Sequence, residues 1–210
     1  KYFLRQIGLE SLIPGSDVPS KFEAIGITNE WDMVPICIAL ALESSKVCLP
    51  GDVTLDDWSH VVDMYGPDRK TGISIDYPGM ICSLAPLLRP GLGPTEAIAD
   101  SQSDAANGSV FPWLSGQPIL NYLLCDTRDV SRSITTQVFQ NMVLGDRKYY
   151  ETYREEAFIC TGSLLEKHDR TLLDADILRY LFQLEDAGTL YPCIFSARPS
   201  LPPMDVDHDI

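Results

Sequence analysis

The clearest hydrophobic periodicity in the chain lies in the segment "TLLDADILRYLFQLEDAG" (171–188). Apolar residues recur there every three or four positions, which predicts an amphipathic helix. Thr171 or Asp174 can cap its start, and Gly188 stands where a left-handed residue would end it. The apolar stripe consists of Leu173, Ile177, Leu181 and Leu184.

Four other segments predict helices. "VPICIALALESSK" (34–46) is typical of a short, largely buried helix because it is apolar on nearly all sides. In "LPGDVTLDDWSHVVDMYG" (49–66), Thr54 is followed three positions later by Asp57, which is an N-terminal capping pattern, and Gly66 is a suitable end. The remaining two segments are "SITTQVFQNMVLG" (133–145) and "RKYYETYREEAFI" (147–159).

Three apolar runs predict short β-strands. They are "KFEAIGIT" (21–28), "GISIDYPGMI" (72–81) and "LYPCIFSARPS" (190–200). The third run follows a helix and a glycine, and as a buried strand it would deliver Ser196 to a loop at its end. Helices outnumber strands, so the sequence predicts a helix-rich α+β fold with few short strands.

Residues 83–118 form a long stretch rich in Pro, Gly and Ser that nevertheless keeps Leu, Ile, Phe and Trp. This mixture predicts an ordered irregular segment that docks on a surface, and ordered loops of this length are often binding or interlocking elements. We expect one domain over residues 1–210, with a sub-boundary near 83–118 and a flexible tail at 201–210.

Charge and cysteine content exclude several classes of protein. The chain has 16 Lys and Arg against 30 Asp and Glu, a net charge of −14, which disfavours direct binding to nucleic acid or to an anionic membrane surface. The six cysteines are dispersed without metal-ligand spacing, which argues against a zinc site, and four of them have apolar neighbours, which indicates reduced, buried thiols. The N-terminus lacks a signal-peptide pattern, so we expect a cytoplasmic location or an intracellular particle, not a secreted protein.

One resemblance points to an enzyme. A helix, a glycine, an apolar strand and then "SARP" (196–199) resembles the second motif of haloacid-dehalogenase-like phosphohydrolases, in which a Ser or Thr at a strand end binds the phosphoryl group. The resemblance implies that role for Ser196. The first motif of that family is an apolar strand ending in D-x-D-x-T. "ISIDYPGMI" would supply Asp76 as the nucleophile, or "AIGITNEWDM" would supply Glu30 at the second carboxylate, and neither copy is complete.

Two functional interpretations follow. The first is a non-catalytic structural or assembly subunit, or a protein–protein interaction module, processed from a larger particle such as a capsid. It predicts other protein subunits as partners, an oligomer well above 23.3 kDa and no cofactor. The alternative is a degenerate or truncated haloacid-dehalogenase-like phosphohydrolase that uses Mg²⁺ with Asp76, Glu30 and Ser196. We favour the first, because no complete set of nucleophile, proton carrier and charge stabiliser can be assembled from the sequence.

Overall fold

The computed structural model describes residues 1–49, 53–67, 72–102, 110–168 and 174–191. By its internal contacts the chain divides into two units, residues 1–137 and residues 138–210. The expectation of a single domain stays a prediction, and the predicted tail at 201–210 lies outside the described residues.

All regular secondary structure in the described ranges is helical, so the predicted α+β class is wrong and the fold is all-α. Within these ranges, four short 3-10 turns connect helices, at Glu10–Leu12, Lys46–Cys48, Ala85–Leu87 and Leu114–Gly116. The α-helices are α1 (Tyr2–Gln6), α2 (Val18–Ala24), α3 (Glu30–Ser45), α4 (Trp58–Tyr65), α5 (Tyr77–Cys82), α6 (Pro94–Gln102), α7 (Pro118–Leu124), α8 (Ile134–Leu144), α9 (Asp146–Tyr153), α10 (Leu164–His168) and α11 (Ala175–Asp186).

Helix α3 forms the centre of the first unit. Its residues from Ile36 to Leu42 are buried apart from the half-buried Cys37, and a helix that is apolar all round must be enclosed by other elements. Helices α6 and α7 pack against α3, while α2 packs against α5. Asn29 begins α3 by accepting a hydrogen bond at 2.9 Å from the backbone N–H of Trp31. The predicted helix at 34–46 is therefore real but starts four residues earlier.

Two of the predicted strands are absent, and about half of each run is helical instead. In the run 21–28, the first four residues belong to α2, in which Phe22 is fully buried at helical spacing from the buried Val18, and Gly26 at φ +91° then turns the chain. In the run 72–81, Asp76 caps α5. Short apolar runs fit a strand and a buried helical turn equally well, and packing decides between them. The third run begins at Leu190 and Tyr191, which are not in a strand, and the rest of it lies outside the described residues.

The segment 83–118 is more regular than predicted. It contains α6, which buries Thr95, Ala97 and Ile98, as well as two of the 3-10 turns. Pro94 is the first residue of α6, a position where proline is well tolerated because that N–H has no helical acceptor. The prolines that suggested an irregular chain thus include one that starts a helix.

Local capping was predicted more accurately than strand content. Asp57 caps α4 by accepting a hydrogen bond at 3.0 Å from the backbone N–H of His60, so the cap is Asp57 and not Thr54. Gly66 ends α4 at φ +70°, as predicted. Asp174 caps α11, and Gly188 follows its end at φ +65°.

In the part of the chain that the structure describes, none of these helices combines the length and the apolar character that a bilayer crossing needs.

Candidate functional site

The phosphohydrolase resemblance singled out three residues, and the two that the structure describes, Asp76 and Glu30, stand at the starts of different helices. Asp76 caps α5, where its Oδ1 accepts a hydrogen bond at 3.1 Å from the backbone N–H of Gly79. Glu30 is the exposed first residue of α3. Ser196 lies outside the described residues. Neither Asp76 nor Glu30 follows a strand, which is the arrangement the resemblance requires, and their catalytic assignment stays a prediction.

The described ranges also offer no obvious metal centre. No group of three or more His, Cys, Asp or Glu side chains within them is arranged to hold a metal ion. Their free cysteines are Cys37, Cys48, Cys82, Cys125 and Cys160. Burial raises the pKa of the Cys37 thiol to about 12, so this cysteine remains a neutral thiol at physiological pH and is a poor nucleophile.

The first unit contains a buried carboxylate that is fully engaged. Asp32, in the first turn of α3, is only 2% exposed. Thr95 Oγ1 of α6 donates to Asp32 Oδ1 at 3.2 Å, and Arg128 Nη2 donates to Oδ2, also at 3.2 Å. Thr127 Oγ1 lies 3.3 Å from Thr95 Oγ1. Because each oxygen of Asp32 has a donor from a different element, the cluster joins α3, α6 and the turn after α7, and we interpret it as structural.

The second unit contains a carboxylate that organises a loop. Asp146 Oδ1 accepts hydrogen bonds from the backbone N–H of Thr161 at 2.8 Å and from Asn141 Nδ2 at 3.4 Å. These bonds stabilise the charged form, with the Thr161 bond the largest cause, and lower the pKa of Asp146. The hydrogen bond to Asp146 and its negative charge in turn raise the pKa of the exposed Cys160 thiol. The site therefore suppresses thiolate formation at Cys160 instead of activating it.

Helix α11 carries apolar side chains that the other described residues do not bury. We call its six large apolar residues, which spread over about half of the helix circumference, the α11 surface. None of them is buried. Ile177 is 43% exposed, and Tyr180 and Phe182 are each 60% exposed. The remaining members, Leu178, Leu181 and Leu184, are half-buried.

Carboxylates lie at both ends of the α11 surface. Asp174 and Asp176 stand at its N-terminal end, and Glu185 and Asp186 at its C-terminal end. Arg179 supplies the positive charge within this helix, and its Nη1 lies 2.8 Å from Asp176 Oδ1, so it is already paired. The carboxylates thus lie at both ends of the helix, with Asp176 and Asp186 on the side opposite the half-buried leucines.

Sequence reasoning found the helix but not its exposure. The predicted stripe contained Ile177, Leu181 and Leu184, whereas the two most exposed residues of the surface, Tyr180 and Phe182, lie outside that stripe. Their presence widens the apolar arc beyond what one packing contact needs. The width of the apolar arc was therefore the signal in the sequence from which exposed apolar residues could have been predicted.

Comparisons with known proteins identify no relative. The chain matches no known protein family, no curated protein and no solved structure.

Proposed function

We propose that this protein is a non-catalytic assembly subunit or interaction module, of the kind that builds a particle such as a capsid, and that it binds other protein subunits through the α11 surface. The observation that carries the proposal is the exposure of Ile177, Tyr180 and Phe182 on one well-capped helix. Aromatic residues are enriched at interface cores because they contribute much contact area at a small entropic cost. The free thiols in the described residues suit a reducing compartment, so we place the assembly inside the cell.

The helix can present this surface without help from a partner. Asp174 Oδ1 accepts hydrogen bonds from the backbone N–H groups of Asp176 at 3.0 Å and Ile177 at 2.8 Å, which fixes the first turn. After the last turn, the N–H of Thr189 donates to the carbonyl of Leu184 at 2.9 Å, next to Gly188 in its left-handed conformation. A helix that is capped at both ends is already ordered, so it loses little conformational entropy when it binds a partner.

Self-association of the purified chain tests the proposal. At about 0.5 M salt, where like charges are screened, we expect light scattering after size-exclusion chromatography to give a mass above the 23.3 kDa of one chain. The double variant Tyr180→Ser/Phe182→Ser should associate about 100-fold more weakly, because each aromatic ring would lose roughly 1–2 kcal/mol of apolar burial.

A matched variant separates this effect from a general loss of surface hydrophobicity. Val47 and Leu92 lie in the first unit and are 81% and 46% exposed. Val47→Ser/Leu92→Ser removes two exposed apolar side chains and should leave the mass of the oligomer unchanged. If the wild-type chain and the α11 variant have the same mass at every concentration and salt, the α11 surface does not join subunits.

A further inference from the structure

We draw no further inference here: the strongest candidate, the surface patch of partly exposed apolar side chains on helix α11, belongs to the site already described, and nothing in the described residues shows which occupant covers it.

Discussion

Replacing Asp32 is the most informative perturbation of the first unit. The carboxylate is buried in the first turn of α3 and accepts hydrogen bonds from Thr95 and Arg128. In Asp32→Ala both bonds are lost and a small cavity replaces the carboxylate. The Thr95 hydroxyl keeps its contact with Thr127 at 3.3 Å, so no donor is left entirely without a partner.

The magnitude follows from the exposure of the two donors. The hydrogen bond from the buried Thr95 hydroxyl to a carboxylate should contribute about 1.5–3 kcal/mol. The Arg128 side chain is 59% exposed, so solvent screens its ion pair and limits its contribution to about 0–1 kcal/mol. The favourable position of Asp32 near the N-terminus of α3 adds about 0.3–1 kcal/mol. We therefore expect Asp32→Ala to lower the free energy of unfolding of the first unit by about 3 kcal/mol.

Tryptophan fluorescence during urea unfolding measures this loss in the right unit. The three tryptophans of the chain, Trp31, Trp58 and Trp113, all lie in residues 1–137. With an m value of about 2 kcal/mol/M, the midpoint should fall by about 1.5 M urea. The control Asp63→Ala removes an exposed carboxylate from α4 and should change the free energy by less than about 0.5 kcal/mol.

A double-mutant cycle decides whether the stated contacts are responsible. Asp32→Ala and Thr95→Val should show a coupling energy of about 1 kcal/mol or more, because each of them removes the same hydrogen bond. Arg128→Gln alone should cost less than Thr95→Val. If Asp32→Ala is neutral, or if the two substitutions in the cycle are strictly additive, the carboxylate does not hold α3 and α6 together and the reasoning is refuted.

Three predictions concern the second unit. Gly145→Ala should destabilise it by about 2 kcal/mol or more in differential scanning calorimetry, because Gly145 has φ +76° and an added Cβ would lie 2.6 Å from the backbone N of Ser163. In Asp146→Asn, Cys160 should be alkylated faster at pH 8, as followed by peptide mass spectrometry, because the carboxylate that raises its pKa is gone. Since the pKa of Asp146 lies below the ordinary 3.8, the wild type should also lose stability as the pH falls through and below about 4, and Asp146→Asn should lose less. Unchanged alkylation or an identical acid profile would contradict the assigned role of Asp146.

Local signals in the sequence correctly predicted the helices that have a capping residue at the start and a glycine after the end. Helix α11 has Asp174 before it and Gly188 after it, and α4 has Asp57 and Gly66. In each case the cap satisfies backbone groups through atoms a few residues away, so the information is contained in a short window of sequence. The same holds for α8, which ends one residue before Gly145.

The strand predictions were wrong because the contacts that decide between strand and helix join residues that are distant in sequence. Tyr77 of α5 donates a hydrogen bond at 2.6 Å to the carbonyl of Leu12, and α5 packs against α2. Half of each predicted strand, at 21–28 and 72–81, lies in one of these two helices, which pack on each other. An apolar run of eight to ten residues does not reveal such a partner, so its period could not be read with certainty from the run alone.

The exposure of the α11 surface could not be predicted from the sequence for a related reason. Periodicity shows that one side of α11 must be covered, but whether the covering atoms belong to this chain depends on packing that no local pattern encodes. The exposure of Tyr180 and Phe182 belongs to the folded chain and not to the sequence pattern, so the structure was needed to find it.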